Sequence, residues 1–141
     1  SMKGMVKKVN RKLIISDPKA QLAQYCPDLS NWPESWHFDD PDIPPGERIV
    51  QYIKPFLIDL LEQKLATKTL HKHRDNIWLL GGEVIRERYE DERLLKLPVE
   101  QVIIKMIHED GGPLIYPRIS QLQQESFDAT CRKFYRFLNR P

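Results

Sequence analysis

Between Glu47 and Leu65 apolar residues recur at helical spacing. Ile49, Ile53, Phe56, Leu57, Leu60 and Leu61 fall on one stripe, which predicts an amphipathic helix over roughly 47–65. Pro55 lies inside it, and its missing N–H predicts a kink near Gln51–Lys54. A second helix is predicted over about 69–90, with Leu70, Ile77, Leu80 and Val84 as its apolar face, widened by Trp78 and Ile85. A threonine of Thr67-Lys68-Thr69 is its expected N-cap. Gly81-Gly82 falls in mid-helix, at about 1 kcal/mol each relative to alanine. The pair either lets another helix approach closely or marks a bend. The apolar period continues in phase across it, which favours close approach. Pro98 opens a third helix with Val99, Val102, Ile103, Met106 and Ile107 on one side, and Gly111-Gly112-Pro113 stops it. Ser120 with Gln123 three residues on fits a capping box. The last helix then runs to about Leu138 on a face of Phe127, Cys131, Phe134 and Leu138, with Tyr135 beside them.

The front of the chain is patterned differently. Residues 2–12 are basic and weakly periodic, and predict a flexible arm with a short strand near Leu13–Ile15. Asp17-Pro18 starts a short helix to about Tyr25. Residues 27–46 hold five prolines, which remove too many donors for regular structure. Trp32, Trp36 and Phe38 are interleaved there, and that much aromatic area is expected to pack onto the helical core. The alternative is an exposed aromatic docking strip. The expected architecture is all-α: a compact bundle of four principal helices over 47–141. Residues 1–46 supply a basic arm, a short extra helix and a Pro/Trp-rich irregular segment packing on that core.

Composition narrows the chemistry. A chain of 141 residues, 40% hydrophobic, is one domain's worth of sequence with a real core. No apolar run approaches the roughly 18 residues of a membrane span, and no secretory leader pattern opens the chain. With only two distant cysteines, Cys26 and Cys131, a reducing, cytoplasmic setting is expected. Cys131 falls on an apolar face, as a buried and inert thiol. No C-x-x-C occurs, and His71 and His73 would point about 200° apart on a helix, so neither metal nor cofactor is expected. No nucleophile motif and no phosphate-binding glycine loop appears. Asp39-Asp40 and Glu90-Asp91-Glu92 read as solvated turn acids. No catalytic residue is assigned, and a non-enzyme is expected.

Charge placement changes this picture. The net charge of +2 hides opposed blocks: residues 1–19 carry six Lys/Arg and one Asp, while residues 20–47 carry six acids and no Lys or Arg. The basic arm, Lys7 and Lys8 included, either seeks phosphate or folds back on the acidic stretch. The second helix carries Lys68, Lys72, Arg74, Arg86 and Arg88, with His71 and His73. The last helix ends in Arg132, Lys133, Arg136 and Arg140, with no acid after Asp128. Those last cations complement the helix dipole, whereas Lys68 and Lys72 sit near a helix start and oppose it. Free N–H groups and the hydroxyls of Thr67 and Thr69 at that start fit a backbone-phosphate grip. The competing reading is a solvated charged face.

Leu65-Ala66-Thr67-Lys68-Thr69-Leu70, followed by His73, resembles the start of the second helix in the core-binding domain of tyrosine recombinases of the phage-integrase type. The likeness covers residues 47–138 in helix count and order. It implies a SAM-like helical domain that clamps one side of DNA, with Lys68, Thr69 and Lys72 at the backbone. The catalytic domain of that family is not matched. His71-Lys72-His73-Arg74 contains a His-x-x-Arg string, but it lies inside the binding helix. Gly81-Gly82 and the Pro/Trp-rich front are not features of that family. The expectation is a non-catalytic module binding double-stranded DNA, associated with a mobile element or its regulation. Its contacts would be Lys68, Thr69, Lys72, Arg74, Lys7, Lys8, Arg132, Lys133 and Arg136. The alternative is a protein-interaction domain or homo-oligomer working through Trp32, Trp36 and Phe38, or through an exposed helical face.

Overall fold

A computed structural model describes residues 17–141. The basic arm, with Lys7 and Lys8, and the expected strand near Leu13 lie outside the described residues. Six α-helices make up the described fold: α1 (Pro18–Tyr25), α2 (Trp32–Trp36), α3 (Ile43–Glu62), α4 (Thr67–Glu90), α5 (Val99–Met106) and α6 (Gln121–Leu138). Short 3-10 turns, Leu29–Asn31, Asp40–Asp42 and Glu92–Lys96, join them, and no strand occurs among the described residues. The all-α architecture is as the periodicity indicates.

The Pro-rich front is more regular than expected. Pro33, Pro41 and Pro44 each sit in the first positions of a helical element, where an N–H would have no intrahelical partner. The prolines therefore start short helices instead of preventing them. For the same reason α3 begins at Ile43, four residues before the expected start at Glu47. Pro55 does not divide it: the helix continues to Glu62. Pro55 and Gln51, the residue whose carbonyl loses its partner, both lie on the exposed side of the helix.

Helix α4 is the longest element and packs on α2, α3, α5 and α6. Its Gly81 marks a close approach, not a break. A Cβ there would stand 2.2 Å from Cζ2 of Trp36. The partner brought close is one indole from five-residue α2, held by Trp36 Nε1–H donating to the Trp78 carbonyl at 2.9 Å. Trp32 and Trp36 are 2% and 4% exposed and belong to the same core as the long helices. They do not form the alternative docking strip; only Phe38, at 63% exposure, stands in solvent.

The third helix is shorter than its apolar pattern suggests. It ends at Met106, and His108 turns back through an antiparallel bridge to Gly111. The last helix has the expected Ser120–Gln123 capping box. Phe56, Phe127 and Phe134 are fully buried, and Phe56 stacks on Phe134 at 4.8 Å between centroids, which joins α3 to α6.

Candidate functional site

Helices α4 and α6 run antiparallel, and their buried seam is polar. His73, 7% exposed, has Nδ1 2.7 Å from Thr130 Oγ1. One step along, Asn76 donates its amide hydrogens to Thr130 Oγ1 at 2.9 Å and to the Ser126 carbonyl at 3.1 Å. These pairs fix the register. The start of α4 is thereby set beside the end of α6, and the two basic stretches that are far apart in sequence come together.

Helix α3 ends at the same pole. Lys133 donates to Gln63 Oε1 at 2.7 Å, just past α3. Arg140 holds Asp59 through two hydrogen bonds, 2.9 and 3.1 Å, and lies over the Phe137 ring. Those contacts, with Gln63 and Lys133, hold the Asp59 carboxyl below the usual range against some opposition from burial. Lys72 and Lys133 both act on His73: burial first, then these two cations, keep its imidazole below its ordinary pKa.

The first turn of α4 is open. Its N-cap is Ala66, which offers no side-chain acceptor, so neither threonine caps the helix as expected. Thr67 is already helical, and Lys68 and Lys72 are exposed with no ion pair among the described residues. Thr69 is half-buried in that turn, and Arg136 is exposed on α6. The structure therefore gathers Lys68, Thr69, Lys72, Lys133 and Arg136 at one pole.

Arg74 and Arg132 are otherwise engaged. Arg74 donates to the Tyr25 carbonyl at 3.0 Å, pairs with Asp75 at 3.0 Å and lies 5.9 Å from the Tyr25 ring centroid. It fastens α1 to α4, together with the hydrogen bond from Tyr25 Oη to the Leu70 carbonyl. Arg132 donates to the Asp110 carbonyl at 3.2 Å, which ties the turn after α5 to α6. Both are anchoring cations.

Two further clusters escaped the sequence reading. Asp42, from the acidic stretch, is buried. It accepts from Tyr89 Oη at 2.6 Å and from the backbone N–H groups of Phe38 and Asp39, with Arg88 at 4.0 Å. Burial pushes its carboxyl up, but these donors outweigh it and leave it below the ordinary value. The same bond pushes the Tyr89 hydroxyl up to about 12. Trp78, expected to widen the apolar face, is instead 40% exposed, with Nε1–H donated to Ser35 Oγ at 2.9 Å. Its place one position beyond Ile77, outside the Leu70–Ile77–Val84 stripe, was the available signal.

Cys131 is fully buried and burial pushes its thiol up; Cys26 is buried as well, raised to about 12. No group of three or more His, Cys, Asp or Glu among the described residues is arranged to hold a metal. No described helix is long and apolar enough to cross a membrane. No protein-family model, curated protein or solved structure matches this chain.

Proposed function

We propose that this protein binds the phosphate backbone of duplex DNA through the pole where α4 begins and α6 ends. The observation that carries the reading is the placement of Lys68 and Lys72. Both are exposed, and unpaired among the described residues, on a helix start without a side-chain cap, beside Lys133 and Arg136 from a second helix. A cation at a helix start gains nothing from the dipole, so fold stability does not account for it. Free N–H groups and clustered lysines both favour phosphate. The Leu65–Leu70 motif that resembles the recombinase core-binding domain falls at this same pole.

Such a grip reads no sequence by itself, and it releases counterions. Its affinity is expected to fall with salt at a log–log slope of about −0.9 per phosphate neutralised. The test is anisotropy of a labelled blunt duplex at several salt concentrations. Lys68→Glu with Lys72→Glu is expected to weaken binding and to lower the magnitude of the slope by roughly two. Lys96→Glu, just beyond the opposite end of α4, is expected to leave both unchanged. Unaltered affinity and slope in the Lys68/Lys72 double variant would overturn the assignment.

A further inference from the structure

Beyond Lys72, helix α4 runs along the first turns of α6, and the two enclose an open groove of about 720 Å³. Leu79 and Ile119 supply apolar lining, Trp78 stands beside them, and Asn76 and Gln123 bring polar atoms. The bond to Ser35 fixes the Trp78 ring. That ring also lines the neighbouring groove under Phe38, so it forms a ridge between the two. Asn76 spends its amide hydrogens on α6, and its Oδ1 has no partner among the described residues. Gln123 spends its Oε1 on the Ser120 N–H, and its amide hydrogens have no partner among the described residues. Lys72 lines the same groove, six residues from Trp78 and so about 9 Å away along the helix axis; Asp75 lines it between them, its carboxylate paired with Arg74 at 3.0 Å.

These groups suit one kind of occupant. A fixed aromatic face takes a base by stacking, a free acceptor and a free donor meet its edge, and a lysine nearby meets its phosphate. An apolar side chain from a protein would use the ring and the apolar lining but would leave Lys72 and both amides unused. We infer that this groove holds one unpaired nucleotide, its base against Trp78 and its phosphate toward Lys72. The inference rests on the DNA-binding reading and narrows it: the preferred ligand is a duplex that adjoins an unpaired strand.

The experiment compares the full chain on a blunt duplex and on the same duplex with a short oligothymidine overhang. The overhang is expected to tighten binding roughly tenfold, the effect of about one stacked base, and to quench tryptophan fluorescence. Trp78→Leu is expected to erase that gain and leave blunt-duplex affinity unchanged. Trp78→Phe keeps an aromatic face and is expected to restore most of it. Equal binding of both ligands, or a gain that survives Trp78→Leu, would overturn the groove assignment and leave the backbone reading intact. Self-association abolished by Trp78→Leu, with no overhang gain, would overturn it in favour of a second copy of the chain. Failure of both ligands to bind at low salt would overturn both readings.

Discussion

His73 bears on both stability and the basic pole. It is bonded to Thr130, and burial, followed by the nearby Lys133 and Lys72, lowers its pKa in the fold. An unfolded histidine takes up its proton near pH 6.5, the folded one only at lower pH. Below about pH 6.5 the unfolded chain therefore binds more protons, and stability falls as pH drops toward the folded value. Asp42 and Asp59, both held low, lose their contribution below about pH 4. The urea midpoint is expected to decline in both windows. His73→Gln is expected to remove the first decline and retain the second; an unchanged upper window would show that His73 is not the group responsible. Thr130→Val deprives His73 and Asn76 of a shared buried partner, at an expected cost of about 1–3 kcal/mol by chemical denaturation. Thr130→Ser keeps the hydroxyl and is expected to cost less. Little of this seam was legible in sequence. A histidine on a mostly polar helix reads as solvated until the opposing helix supplies a threonine at the right register.

At the scale of elements, Gly81 and Gly82 make a contrasting pair. A Cβ at Gly81 would overlap the Trp36 ring edge at 2.2 Å, while one at Gly82 meets Trp36 Cδ1 at 3.3 Å, a tight contact. Gly81→Ala is expected to destabilise by about 2–3 kcal/mol or more, because the indole has nowhere to move. Gly82→Ala is expected to be nearly neutral, since alanine regains about 1 kcal/mol of helix propensity against that crowding. Thermal or urea unfolding of the two variants checks the ranking, and equal losses would contradict the packing described. Periodicity located the cores of the long helices because their buried faces are continuous, as at Ile49–Ile53–Phe56–Leu60. Their starts were less legible. Pro44 and Pro45 suit a first turn as well as they suit a loop, and Ala66 caps without any side-chain bond. The third helix was over-extended because Ile107 is buried without being helical.

Across the whole molecule, cations of similar appearance divide into two kinds. Arg74, Arg132 and Arg140 bind the fold's own carbonyls and carboxylates, while Lys68, Lys72 and Arg136 are exposed and have no partner among the described residues. Arg74→Ala is accordingly expected to lower stability, by freeing α1, and to leave the salt slope of DNA binding unchanged. Equilibrium unfolding and the anisotropy series separate the two effects. Charge blocks were visible along the chain, but their meeting at one pole depends on the antiparallel α4–α6 register, which no local pattern encodes. The most direct test is an amide chemical-shift map of the full chain titrated with blunt duplex. The account predicts shifts concentrated at residues 64–72 and 132–137, with the stretch 92–106 silent. Shifts centred on 92–106, or none at the α4–α6 pole, would contradict it.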